Sequence, residues 1–250
     1  MKATARQLRI RELLGSQEFV DLATLCRHVE GSEATVRRDL IALEKEGILR
    51  RVHGGALALE TRDRGDFAWL SSRMPAEKQR IAEAAALLVE DGQTLILDGG
   101  STVAAVARQL LDRSLHVVTN SLRIAGILEQ ARRIDVTLTG GYLHAPLGIL
   151  LGPFCEQMLA SLAADVVIMG IGGVTEDGFS NNNTLVVGSK RKMIEVARKV
   201  VVVADHTKFG RAAMVPVAPL DAADVIVSDD ALSPAHQNKL RSHGIEVRVA

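Results

Sequence analysis

A short apolar run followed at once by a loop of glycine, serine, threonine or asparagine recurs through most of this chain, and that repetition constrains the fold more than any other feature. Thr94-Leu-Ile-Leu97 runs into Asp98-Gly-Gly-Ser-Thr102, Leu115 to Val118 into Thr119-Asn120-Ser121, and Val136 to Leu138 into Thr139-Gly140-Gly141. Asp165 to Met169 then precedes Gly170-Ile-Gly-Gly173, and Val200 to Val203 precedes Ala204-Asp205. Stretches of helical period, such as Ile81 to Val89 and Ser101 to Leu111, lie between them. Strands that are apolar on both faces need cover on both faces. The pattern therefore predicts an α/β domain with a mostly parallel sheet and helices packed on each side.

The first sixty residues follow another plan, three helices and a hairpin. Ile10, Leu13 and Leu14 share one helical face, and Leu22, Leu25, Cys26 and Val29 fall at i, i+3, i+4 and i+7 of a second helix. Asp21 suits the N-cap of that helix, with Val20 and Leu25 placed as a hydrophobic staple. Gly31 is expected to supply a tight turn, and Ser32 to cap a third helix with the buried stripe Val36, Leu40 and Leu43. Gly47 ends it, and Ile48 to Leu59 reads as two short strands about His53-Gly54-Gly55. This is the layout of a winged helix-turn-helix, whose third helix lies in the DNA major groove. With the stripe inward, the 100° step puts Arg38 nearly opposite it, with Thr35 and Arg37 on the flanks. Arginine suits guanine or phosphate and threonine a phosphate oxygen; the alternative is that Arg37, Arg38 and Asp39 form an ordinary solvated charged face. Arg50, Arg51 and His53 beside the glycine tip favour the DNA reading.

Composition excludes other classes. The 250 residues are 47% apolar, 24% charged and 3% aromatic, which describes a globular chain rather than a disordered or fibrous one. No apolar run approaches the ~18–20 residues of a spanning helix, and the basic start (Lys2, Arg6, Arg9, Arg11) lacks a signal peptide's apolar core, so a cytoplasmic protein without a membrane partner is expected. Cys26 and Cys155 belong to no C-x-x-C and read as small buried residues; the scattered histidines predict neither a metal site nor a cofactor. Residues 1–59 hold ten Lys/Arg against eight Asp/Glu, leaving twenty against twenty-two, so the segments carry about +2 and −2. That asymmetry decides nothing about partners. Domain boundaries are expected at 1–59 for the DNA reader, 60–76 for a linker and 77–250 for the α/β domain.

The run Ser32-Glu-Ala-Thr-Val-Arg-Arg-Asp-Leu40, with Leu43-Glu44, Gly47 and Arg51-Val-His-Gly-Gly-Ala56, resembles the DNA-binding signature of the DeoR-type bacterial repressors. The likeness continues through Asp98-Gly-Gly-Ser-Thr102, Thr119-Asn-Ser121, Gly140-Gly141 and Asp205-His-Thr-Lys-Phe-Gly210, and so covers nearly the whole chain. It implies a transcriptional regulator, usually a repressor of a sugar or polyol catabolic operon, released by a phosphorylated intermediate. DNA contacts are assigned to Ser32, Thr35, Arg37, Arg38, Arg51 and His53.

Independently of that likeness, Asp98 to Thr102 joins a strand end to a helix start, where free N–H groups and the dipole favour an anion. Gly100 permits close approach, and Ser101 and Thr102 add hydroxyl donors; the plainer alternative makes them turn residues and an N-cap. Thr119, Asn120, Ser121 and Gly141 are expected at the same carboxyl edge, where open α/β sheets bind ligands. Lys208 is placed to clamp a phosphate, and Asp98, Asn120 and Asp205 to meet hydroxyls, with His206 near the mouth. The domain also resembles the sugar-phosphate isomerases, which supplies a rival: a catalytic isomerase with an appended DNA-binding domain. The stretches matching the isomerase carboxylates are Met169-Gly-Ile-Gly172 and Ser189-Lys190, which carry no carboxylate, so the reading is of a sensor and not an enzyme. A third possibility keeps the α/β domain only for oligomerisation. Relatives often carry a glutamate where this chain has Val186-Val-Gly-Ser-Lys190, which leaves the sugar open; Asn181-Asn-Asn183 is an alternative amide source or a surface turn. Paired half-sites argue for a homo-oligomer, a dimer or tetramer.

Overall fold

The computed structural model describes residues 3–16, 19–45, 48–52, 54–58 and 66–250. His53, Gly47 and the first part of the expected linker lie outside the described residues. The chain divides into two compact units, Met1–Asp66 and Phe67–Ala250.

In the first unit, helices Ala3–Ser16, Leu22–His28 and Glu33–Lys45 pack around Ile10, Leu25, Val36 and Leu43, all wholly buried. The predicted stripe Val36, Leu40, Leu43 faces inward. Asp21 caps the second helix by accepting the Thr24 N–H at 2.8 Å and the Thr24 hydroxyl at 2.7 Å, and Val20 and Leu25 are buried beside it. Two local expectations need correction. The hairpin Leu49–Val52 and Gly55–Ala58 gains a third strand, Phe19–Asp21, which pairs antiparallel with Gly55–Ala58; three residues are too few to show a period. The left-handed residue between the second and third helices is Glu30 (φ 51), not Gly31. Gly31 instead packs closely: a Cβ there would lie 3.3 Å from Val29 Cγ2.

The second unit holds seven parallel strands in the order Glu246–Val249, Val225–Ser228, Ala197–Val203, Ala164–Gly170, Thr94–Leu97, Leu115–Thr119, Ile134–Leu138. The chain enters at the centre with Thr94–Leu97, steps outward to Ile134–Leu138, then returns to Ala164–Gly170 and steps outward the other way. Alternation along the strands separates two cores. Leu95, Leu97, Val117, Ile168 and Val203 meet the helices Pro75–Ala86, Ser101–Gln109 and Leu122–Leu128. Ile96, Val118, Val167, Met169 and Val202 face the other way, toward Pro153–Ala160, Thr184–Val196 and Pro234–Ser242. The predicted two-sided cover is present. Two small antiparallel additions, Tyr142–His144 with Ile149–Leu151 and Gly173–Thr175 with Gly178–Asn181 and Val215–Ala218, were not visible as strands in the sequence.

The expected linker 60–76 is too long. Phe67–Ser72 is helical and Pro75 opens the next helix, so the second unit starts ten residues before position 77, at Phe67. Phe67 is anchored by its N–H to the Pro146 carbonyl at 2.9 Å and by the Arg123 guanidinium 4.5 Å above its ring. The mixed Arg, Asp and Gly composition before it hid that helix.

Candidate functional site

The third helix of the first unit presents the predicted cationic side. Arg37 and Arg38 are exposed and Thr35 half-buried, with Arg37 facing Glu33 at 3.5 Å across one turn. Thr35 and Val36 both donate their N–H groups to the Ser32 carbonyl at 2.9 Å, while the Ser32 and Thr35 hydroxyls meet at 2.8 Å. Asp39 does not belong to a solvated face. It is buried and gripped at two points by the Arg6 guanidinium, Nε to Oδ2 at 2.5 Å and a terminal nitrogen to Oδ1 at 3.1 Å. Arg51 is exposed but engaged: Glu44 accepts its N–H at 2.8 Å and its Nε at 2.6 Å. These bonds, backbone first, hold the Glu44 carboxyl below its usual range and tie the wing to the reading helix.

In the second unit, the strand order reverses between Thr94–Leu97 and Ala164–Gly170, and ligands of open α/β sheets occupy the crevice at the carboxyl ends of such a pair. Asp98 and the glycine run from Gly170 sit there. Lys190, on helix Thr184–Val196, spans the crevice floor, bonded to the Asp98 carboxylate and donating to the Gly170 carbonyl at 2.7 Å. The pair is sealed, with Asp98 1% and Lys190 2% exposed. Asp98 is thus committed to Lys190 rather than held out for a ligand hydroxyl. A carboxylate, that of Asp98, does stand on Lys190, and the sealed pair, with the Gly170 carbonyl beside it, braces the crevice.

Gly100 is the N-cap of helix Ser101–Gln109, so neither Ser101 nor Thr102 caps it, and among the described residues no side-chain cap bond is made there. Gly100 has an extended backbone (φ 172), and a Cβ there would meet nothing within 4 Å. The space beside Gly100, where a side chain would stand, is open. Gly99 is different, since its Cβ would fall 2.2 Å from Ile149 Cγ2.

Thr119, Asn120 and Ser121 are buried and already bonded within the protein. Thr119 donates its hydroxyl to the Leu97 carbonyl at 2.7 Å and accepts the Ser121 N–H at 3.1 Å. Asn120 accepts the Gly99 N–H and donates to the Leu150 carbonyl, both at 3.2 Å, and Ser121 caps helix Leu122–Leu128. Gly141 holds φ 131 with Leu151 O only 2.5 Å from where its Cβ would be. These four residues shape the crevice through the backbone they hold.

Asp205 caps the short turn His206–Lys208, accepting the Thr207 N–H at 3.1 Å and the Thr207 hydroxyl. Asp229, wholly buried, receives the His206 N–H at 2.7 Å and faces His206 Nδ1 at 2.8 Å. Burial pushes its carboxyl up, but those bonds and the Ala231 N–H hold it below the usual carboxylate range. Burial pushes Lys208 down, opposed by Asp205 and reinforced by Arg73 and Arg211.

Lys78, not singled out in the sequence, shares this neighbourhood. It is 7% exposed, and burial first, then Lys208 and Arg73, lowers it to about 8 against Asp205 and Glu77. A signal was available: Lys78 sits on the apolar stripe Ile81, Ala82, Ala85 of its helix, as Lys190 sits on that of Val186, Val187, Met193. Because the folded value lies below the ordinary 10.5, the unfolded chain binds this proton more tightly between about pH 8 and 10.5. Lys78 therefore makes stability rise with pH across that window. Denaturant midpoints followed by the chain's one tryptophan, Trp69, should climb more from pH 8 to 10 in the wild type than in Lys78→Met.

A helix-turn-helix reader followed by an α/β sheet with an open crevice at its strand-order reversal defines a class: DNA-binding regulators that answer to a small molecule. Residues 6–62 match the DeoR-like helix-turn-helix domain and residues 73–230 the DeoR C terminal sensor domain. The chain is 33% identical over 254 residues to the "Glycerol-3-phosphate regulon repressor" of Escherichia coli (strain K12), covering 100% of both. It is 30% identical over 245 residues to the "HTH-type transcriptional repressor GlcR" of Bacillus subtilis (strain 168), covering 98% of this chain and 95% of that protein. Among solved structures, ribose 5-phosphate isomerase A of Methanocaldococcus jannaschii superposes with a TM-score of 0.40 at 19% identity over 53% of each chain. The chain belongs to the DeoR family of transcriptional regulators. No helix among the described residues is long and apolar enough to cross a membrane.

Proposed function

We propose that this regulator represses a sugar or polyol catabolic operon in the cytoplasm and leaves its operator when a phosphorylated sugar or polyol enters the crevice. The observation that carries this reading is the helix start at Gly100, without a side-chain cap among the described residues and with nothing within 4 Å of where a Cβ would stand, at the strand-order reversal, in a domain where Lys208 lies close to Asp205 on the same sheet edge. Free N–H groups, the Ser101 and Thr102 hydroxyls and an ammonium suit a phosphate dianion. Three relatives are named for glycerol 3-phosphate, which makes it the first compound to test. Titration calorimetry with glycerol 3-phosphate, hexose phosphates and their dephosphorylated forms decides the matter. Binding of a phosphorylated compound and loss of at least tenfold without the phosphate is expected; equal affinity for both forms removes the phosphate from the reading. The isomerase alternative is tested on the same compounds by turnover.

The DNA contacts proposed are Ser32, Thr35, Arg37 and Arg38 on the third helix and Arg51 and His53 on the wing. Arg38→Ala is expected to weaken operator binding by ~1–3 kcal/mol with little change on scrambled DNA, as loss of a base-edge contact should. Arg51 acts on phosphate while held by Glu44, so Arg51→Ala should weaken both DNAs and flatten the salt dependence. Glu44→Gln, which keeps the tie but removes the competing charge, should tighten both. Gel-shift titrations at two salt concentrations separate these outcomes, and unchanged affinity in all three variants would remove this surface from the interface. The active form is proposed to be a homo-oligomer, dimer or tetramer; light scattering that reports monomers with and without DNA would exclude it.

A further inference from the structure

The seven-stranded sheet ends differently at its two edges. Glu246–Val249 carries Glu246 and Arg248, ion-paired at 2.6 Å, and such charges keep an edge strand from pairing with another chain. Ile134–Leu138, at the other edge, exposes Val136 and Leu138. The Leu115 N–H donates to the Arg133 carbonyl at 3.1 Å and the Thr139 N–H to the Thr119 carbonyl at 2.9 Å, so the odd-numbered residues from 133 to 139 turn their backbone groups to the sheet. Ile134, Val136 and Leu138 turn theirs outward, and no strand among the described residues pairs with them. The apolar surface continues past the strand. Tyr142, the chain's single tyrosine, is 65% exposed, Phe154 is 75% exposed, and Leu143 is exposed as well. Phe154 Cβ lies 4.0 Å from where a Cβ on Gly140 would stand, just beyond Leu138. Exposed aromatic rings beside an open strand edge have the character of interface anchors.

We infer that this edge is where two copies of the chain join, strand Ile134–Leu138 pairing antiparallel with itself about a two-fold axis at Val136. The inference rests on the homo-oligomer reading above and names its surface. That register is self-complementary: Val136 meets Val136, and Ile134 meets Leu138 of the second copy on both sides of the axis, so the outward-facing residues of each copy exchange N–H···O bonds. Asp135 falls opposite Thr137 and not opposite another Asp135, which avoids a like-charge pair. Arg132 falls opposite Gly140 of the second copy, beside which Phe154 stands, a place for a guanidinium over a ring. The area is also sufficient. Val136, Leu138, Tyr142, Leu143 and Phe154 expose about 500 Å² on each copy, and the strand backbone with Arg132, Asp135 and Thr137 brings this near the ~800 Å² per partner of a stable interface. Two readers joined through their second units are what paired half-sites require.

Val136→Cys in a Cys26→Ser background tests the register. Opposed residues of a hydrogen-bonded antiparallel pair have Cα atoms about 5.5 Å apart, within disulfide reach, so this variant should cross-link into dimers on mild oxidation, whereas Val249→Cys on the opposite edge should not. Absence of the Val136→Cys cross-link would overturn the pairing. Sedimentation of the full chain tests the surface. Val136→Lys with Leu138→Lys sets four ammonium groups about the axis and should weaken self-association roughly 100-fold or more. Tyr142→Ser with Phe154→Ser, both at exposed positions, should act in the same direction, and Val249→Lys should leave association unchanged. Circular dichroism reports whether each variant is folded, and the aromatic pair decides alone if the lysine pair is not. If the wild type associates and the variants match it, the surface is overturned and the oligomer reading stands. If the wild type sediments as a monomer with and without duplex DNA, the oligomer reading fails and takes the surface with it. A lysine pair that leaves the mass unchanged but speeds hydrogen exchange in residues 1–66 would make the chain's own reader the occupant and overturn the inference.

Discussion

Lys190→Met is expected to destabilise the second unit by about 3–5 kcal/mol, although methionine fills nearly the same volume. The reason is what the substitution leaves behind. Asp98 is 1% exposed and the ammonium it loses is its ion-pair partner, so an uncompensated carboxylate remains in a site that water does not reach. The Gly170 carbonyl loses its donor in the same step. Asp98→Asn combined with Lys190→Met removes both charges and should recover most of the loss. Urea unfolding followed by Trp69 fluorescence measures each corner of the cycle, since that tryptophan lies in the second unit. A single Lys190→Met that unfolds at the wild-type midpoint would show the pair to be solvated.

Ser101→Ala with Lys208→Ala is expected to give a repressor that binds its operator normally and is not released by its effector. Both substitutions fall in the second unit, after the carboxyl ends of strands Thr94–Leu97 and Ala197–Val203, and neither removes a side-chain bond that the fold uses among the described residues. Each lost contact to a phosphate dianion is charge-assisted and worth about 1.5–3 kcal/mol, so the effector concentration for half-release should rise roughly 100-fold or more. Operator gel shifts against increasing phosphorylated effector test this. Release at wild-type effector concentrations would place the phosphate elsewhere.

The parallel sheet was legible because its strands are apolar on both faces, which leaves continuous runs such as Leu115 to Val118 in the sequence. The DNA reader was legible for a different reason: Asp21, the stripe Val36, Leu40, Leu43 and the glycine tip act locally. Short elements were not. Phe19–Asp21 becomes a strand only because a distant partner, Gly55–Ala58, offers it hydrogen bonds, and Ile149–Leu151, paired with Tyr142–His144 across a short turn, is too brief to show a period. The edge strand Glu246–Val249 alternates polar and apolar residues and gives no continuous run. At the crevice, the sequence located Asp98, Asn120 and Asp205 on one sheet edge. It did not reveal that their polar groups are spent on Lys190, on Gly99 and Leu150, and on Thr207. The partners of Asp98 and Asn120 come from distant parts of the chain, so no spacing records them, whereas Thr207 lies two residues after Asp205 in the same short turn. Lys78 and Lys190 were readable in principle, as charges on otherwise apolar helical stripes.

Gly99 and Ile149 have no free choice of size. The missing side chain of one is the room occupied by a methyl of the other, so alanine at 99 requires a trimmed residue at 149 in the same step. Across related sequences the two positions should therefore vary together, small with large and large with small. Anyone enlarging the crevice for a new effector must redesign them as one unit, since either change alone shifts the loop that carries Gly100 or leaves a void beneath it.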